Sequence, residues 1–195
     1  VGPEMRLPER ALFANRWLFG GLLRRQLAAR PAANAMIRTT TAVTMIRGGI
    51  RENVLPSRAA AKVNVRILPG ESVESVQARL RETIADERVS VQVSPEAGGV
   101  AEPSPVSPSD GFGYRVIEKT IRQHFTEAVV APSLVVALTD ARHYTAVSDH
   151  IYRFLPVQLR QEDLSRIHGI NERIRPRQYE KVVQFYVGLM RNSCE

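Results

Sequence analysis

Ala59-Ala60-Ala61-Lys62-Val63-Asn64-Val65-Arg66-Ile67-Leu68 alternates apolar with polar residues, setting Ala61, Val63, Val65 and Ile67 against Lys62, Asn64 and Arg66. A side-chain period of two marks a β-strand with one face buried and the other solvated. Pro69-Gly70 ends the run, and Ser72 can then cap a helix carrying Val73, Val76, Leu80 and Ile84 at helical spacing. Upstream, Thr39 to Arg47 reads as a partner strand rich in Thr and Val, reached through a turn that starts at Gly48-Gly49 and contains Asn53. Further out, residues 8–29 read as a helix, with Pro8 in its first turn and Leu12, Trp17, Leu18, Leu22 and Leu27 on a broad apolar face. Val89 to Val93 reads as another strand. Helix, two strands, helix, strand is the order of a two-layer α+β sandwich of ferredoxin-like kind with an antiparallel sheet.

Pro95, Pro103, Pro105 and Pro108, with Gly98 and Gly99, make the next stretch an extended connector and a domain boundary. Beyond it the expected order is a helix at 110–125, a strand from Val129 to Leu138, a short helix from Ala141 and a strand at Ile151 to Phe154. A last helix starts at Pro176, with Tyr179, Val182, Val183, Tyr186, Leu189 and Met190 on its apolar face. The chain is thus α/β overall: residues 1–95 form a ferredoxin-like domain, 96–107 a linker, and 108–195 an alternating segment too short to close a sheet of its own.

Composition narrows the function classes. With 44% hydrophobic and 24% charged residues, the chain has the makeup of a folded protein and lacks the signature of disorder. No apolar run reaches the roughly 18 residues of a membrane span, and no targeting pattern opens the chain, which begins at Val1. Net charge is +7, but the excess reads as dispersed and Arg-dominated, so nucleic acid is not expected as a partner. The strands at 39–47 and 59–68 also lack the aromatic residues on which RNA-binding sheets stack bases. A single cysteine, Cys194, excludes a disulfide framework and leaves the redox compartment open.

Few residues carry metal or acid–base chemistry. His168 precedes Gly169 after a polar loop, where irregular backbone can turn an imidazole into a cleft, and Glu172 could orient it. The alternative is a loop histidine on the surface. Asp140 and Arg142 follow the expected strand Leu134 to Leu138, the position where open α/β sheets bind ligands. Thr139 or Asp140 could equally be capping the following helix. Arg66 presents a guanidinium fork suited to a carboxylate, or is a solvated strand arginine; Asn53 is a ligand or a turn residue. His124, His143 and His150 show no metal-ligand spacing and are read as structural.

Five segments, in order, resemble the M20 family of metallopeptidases, in the carboxypeptidase S-like branch that includes the N-acyl amino acid hydrolases. They are Glu52-Asn53-Val54-Leu55-Pro56, Val63 to Gly70, Thr139-Asp140-Ala141-Arg142-His143-Tyr144, Ile151-Tyr152-Arg153-Phe154 with Pro156, and His168-Gly169-Ile170-Asn171-Glu172-Arg173. The resemblance implies a ferredoxin-like lid that forms a homodimer, followed by the closing part of an α/β zinc-hydrolase domain. It implies hydrolysis of an amide in a peptide or N-acyl amino acid, next to a free carboxylate, at two zinc ions. His168 matches the last zinc ligand. Arg66 and Asn53 match lid residues that hold the substrate carboxylate and the tetrahedral intermediate, partly across the subunit interface. The family's His-x-Asp motif, bridging Asp, Glu-Glu pair and lid histidine are absent from this sequence. A C-terminal portion, inactive by itself, is therefore expected. The competing expectation is a non-enzymatic basic ferredoxin-like module for binding or dimerisation.

Overall fold

The computed structural model describes residues 5–94 and 101–195. Two compact units divide the chain. One takes Ala11–Val106 with Leu134–Leu138, and the other takes Ser107–Ser133 and Thr139–Glu195 with the chain start up to Arg10.

In the first unit the strands expected at 39–47 and 59–68 form as β1 (Thr40–Gly48) and β2 (Ala59–Arg66), an antiparallel pair running from Thr40↔Arg66 to Gly48↔Ala59. A bulge between Val43 and Met45 leaves Thr44 without a ladder partner, and its hydroxyl instead donates to the Lys62 carbonyl. The buried face expected from the alternation does not form. Val63 of β2 is 40% exposed, and Val43 and Ile46 of β1 are 60% and 77% exposed, because among the described residues no further strand pairs with this two-stranded ribbon.

The long helix expected at 8–29 is two, α1 (Leu7–Ala14) and α2 (Arg16–Ala28), broken at Asn15. There the backbone leaves the helical region, with φ −107 and ψ 48, and both the side-chain amide and the backbone amide of Asn15 donate to the Ala11 carbonyl. Pro31 opens α3 (Pro31–Ile37), which packs on α2.

Ser72 caps α4 (Val73–Ile84) as expected. Its hydroxyl accepts from the Ser75 amide, and the Ser75 hydroxyl accepts from the Ser72 amide, a reciprocal capping box. Val76 is buried beneath it.

The strand expected at Val89 to Val93 does not form, so the ferredoxin-like sheet is reduced to β1 and β2 among the described residues, and the strands expected in the following segment, Val129 to Leu138 and Ile151 to Phe154, do not form either. Side chains satisfy the backbone there instead. Arg81 donates to the Val91 carbonyl, Arg66 donates to the Val136 carbonyl, and the Ser107 hydroxyl both accepts from the Ile151 amide and donates to its carbonyl.

The second unit is built on α5 (Phe112–His124) and α7 (Pro176–Ser193), which pack together, with a short α6 (Gln161–Leu164) between them in sequence. Phe185 is fully buried, its ring centroid 5.2 Å from that of Phe154 and 5.8 Å from that of His124. Asn192 reaches from α7 to α5, donating at 2.8 Å to both the Thr120 hydroxyl and the Gln123 side-chain carbonyl. Gly188 permits this close approach, since a Cβ there would lie 2.6 Å from His124 Nε2. The inner stripe of α7 is thus the buried Phe185 and Asn192 with the half-buried Val182 and Leu189. Tyr179, Val183, Tyr186 and Met190, expected on the inner face, are exposed.

Candidate functional site

Arg66 closes β2 opposite Thr40, and its side chain is exposed. One terminal nitrogen, Nη1, donates to the Val136 carbonyl, which fixes the plane of the guanidinium. A guanidinium carries five donors, so most of the fork can still receive a carboxylate. Asn53 lies in the turn between the strands, at the other end of the hairpin, exposed. The ladder from Ala59 to Arg66 is about 23 Å long at ~3.3 Å per residue, and the two candidates share no contact within one chain.

The end of β2 is locked by a neighbouring cluster that residue spacing does not reveal. Glu71 receives two hydrogen bonds from Arg79, at 2.8 and 3.0 Å, and one from the Thr39 hydroxyl, which itself accepts from the Leu68 amide at 2.8 Å. The Arg79 fork and then the Thr39 hydroxyl stabilise the carboxylate and lower its pKa from 4.5 to about 2.

In the second unit, Asp140 and Arg142 lie on a 3-10 helix, Asp140–Ala146. Thr139 occupies its N-cap position without a side-chain capping bond, because its hydroxyl accepts from Arg153 Nε at 3.1 Å. Arg142 is half-buried and donates through Nε to His143 Nε2 at 3.2 Å. Arg153 is thus a positioning group that residue spacing did not reveal, since fourteen positions separate it from Thr139.

His168 follows α6 on irregular backbone, as expected, with φ +58, a left-handed conformation that costs a branched or bulky residue about 1 kcal/mol. Gly169 is pressed against the same turn, its absent Cβ 3.0 Å from the Ser165 carbonyl. The imidazole is exposed, and no hydrogen bond joins it to Glu172, Asp140 or Arg142 among the described residues. Nor do any three His, Cys, Asp or Glu side chains converge there to hold a metal ion. The donors present do not fit a two-zinc centre, which needs several carboxylates and imidazoles.

Comparison with known proteins supplies what this geometry leaves open. Residues 9–91 match the peptidase dimerisation domain of the M20 group. The chain is 39% identical over 193 residues to a probable carboxypeptidase S-like 2 of Dictyostelium discoideum, covering 99% of this chain and 37% of that protein. It is 44% identical over 187 residues to an N-fatty-acyl-amino acid synthase/hydrolase of Xenopus tropicalis, covering 95% and 36%, and 39% identical over 193 residues to the human protein of that name, covering 97% and 38%. It spans little more than a third of the length of these relatives. No solved structure matches it. Similarity that runs through both units, with the match to the dimerisation domain in the first, relates the chain to the M20 peptidases and, along nearly its whole length, to carboxypeptidase S-like and N-fatty-acyl-amino acid synthase/hydrolase proteins.

Proposed function

We propose that this chain supplies the dimerisation lid and the closing part of the catalytic domain of an M20-type hydrolase that cleaves an amide next to a free carboxylate. The observation that carries the reading is similarity to such proteins, 39–44% identical, that extends along nearly the whole chain. In this reading residues 1–95 are the lid, 96–107 the linker and 108–195 the catalytic segment. Arg66 binds the substrate carboxylate through the donors not committed to Val136. Asn53, at the far end of the hairpin, serves the partner subunit's site, which accounts for its distance from Arg66.

Arg142 and Asp140 orient the substrate. His168 is one metal donor, Glu172 would have to move onto its imidazole to assist it, and zinc is the metal such a hydrolase would use to activate water. The other donors come from outside this sequence, so the 195-residue chain is catalytically silent by itself. The exposed stripe Tyr179, Val183, Tyr186 and Met190 offers an apolar surface for the rest of that domain.

Incubating the chain with zinc and an N-acyl amino acid should give no turnover; hydrolysis above background would refute the divided site. In the enzyme that carries this chain, Arg66→Ala should raise KM for carboxylate substrates by about tenfold or more while sparing the corresponding carboxamides. His168→Gly should abolish activity with little change in stability, because relief of the left-handed strain offsets the added loop entropy.

A further inference from the structure

From Ala11 to Arg51 the chain holds seven arginines and no acidic residue. This segment alone carries +7, equal to the net charge of the whole chain, so the excess is concentrated in one stretch and is not dispersed. No salt bridge among the described residues neutralises any of these arginines.

Helix α2 shows how the charge is displayed. At 3.6 residues per turn, Phe19, Leu23 and Leu27 share the more buried side, with Leu23 the deepest. Trp17, Leu18, Leu22, Arg24 and Arg25 occupy the opposite side, and all five are exposed, Trp17 at 83%. The outward side of the helix therefore sets two guanidinium groups beside three large exposed apolar residues. A solvent-facing side of this composition is suited to neither water nor a polar partner alone.

We infer that the outer face of α2 docks on an anionic phospholipid surface. Trp17, Leu18 and Leu22 would enter the boundary between headgroups and acyl chains while Arg24 and Arg25 meet headgroup phosphates. At 13 residues, or about 20 Å, the helix is too short to cross a bilayer and would lie in its plane. A second copy is a poorer occupant, because a two-fold contact through this face sets Arg24 and Arg25 against themselves. A nucleic acid would match the charge but leave Leu18 and Leu22 in water. This inference does not rest on the hydrolase reading.

Trp17 is the chain's single tryptophan, so its fluorescence reports on this face alone. With vesicles containing phosphatidylglycerol, its emission should shift to the blue and be quenched by lipids brominated along the acyl chain. Phosphatidylcholine vesicles should do neither, and salt should weaken the effect. Arg24→Glu with Arg25→Glu should lower vesicle partitioning by about tenfold or more. Trp17→Ala, followed by vesicle co-sedimentation, should weaken binding as well. Any of four results would overturn the proposal: no shift with either lipid, an equal shift with both, a blue shift driven by protein concentration alone, or oligonucleotide binding in place of vesicle binding.

Discussion

At the scale of single residues, two polar clusters hold the units, and each makes a measurable prediction. The Glu71 carboxylate ties the start of β1, through Thr39, to α4, through Arg79. Its pKa is depressed from 4.5 to about 2, so the stabilisation is complete above the ordinary glutamate range and is lost as pH falls through about 2. Acid titration of stability should therefore show a decline between about pH 4.5 and pH 2 that Glu71→Gln removes. The pair is partly exposed, so at neutral pH the variant should lose only about 1 kcal/mol. The second cluster is buried. Asn192→Ala removes the donor that the fully buried Thr120 hydroxyl accepts from, leaving that hydroxyl only its own bond to the Val116 carbonyl, and should cost about 1 kcal/mol in urea unfolding followed by circular dichroism. Thr120→Val combined with Asn192→Leu should cost less than the two single effects added together, since no polar group is then left unmatched.

At the scale of elements, residues that mark boundaries act as their chemistry requires. Pro31 and Pro176 start helices, Ser72 caps α4, and Asn15 splits what the apolar periodicity reads as one helix. Periodicity fails where it must choose a face. Tyr179 and Val183 fit the apolar spacing of α7 as well as Val182 and Phe185 do, and only the contact with α5 picks the second set. Helix α2 carries an unforced cost: Gly20 and Gly21 lie in its interior, and a Cβ at either would meet nothing within 4 Å. Gly21→Ala should thus raise the thermal stability of the chain by about 0.5–1 kcal/mol, read as an upward shift in Tm.

For the whole molecule, the β1–β2 ribbon is the feature that most requires a partner. Among the described residues no strand pairs with either outer edge, and Val43 and Ile46 face solvent. Within a chain whose residues 9–91 match a peptidase dimerisation domain, this surface should carry the homodimer contact. Sedimentation should report twice the 21.8 kDa chain mass, and Ile46→Lys should shift the population to monomer; a dimer unaffected by that change would place the contact elsewhere. The sequence by itself determined the family resemblance, the hairpin register region, the capped helix α4 and the irregular backbone at His168, because turn, cap and motif residues act through bonds a few positions long. Tertiary structure alone decided which stripe of α7 is buried, that Arg66 is tethered to Val136 and Arg153 to Thr139, and that several strand-like runs stay unpaired. Those outcomes depend on which distant group reaches a face or a carbonyl first, and local periodicity contains no information about distant partners.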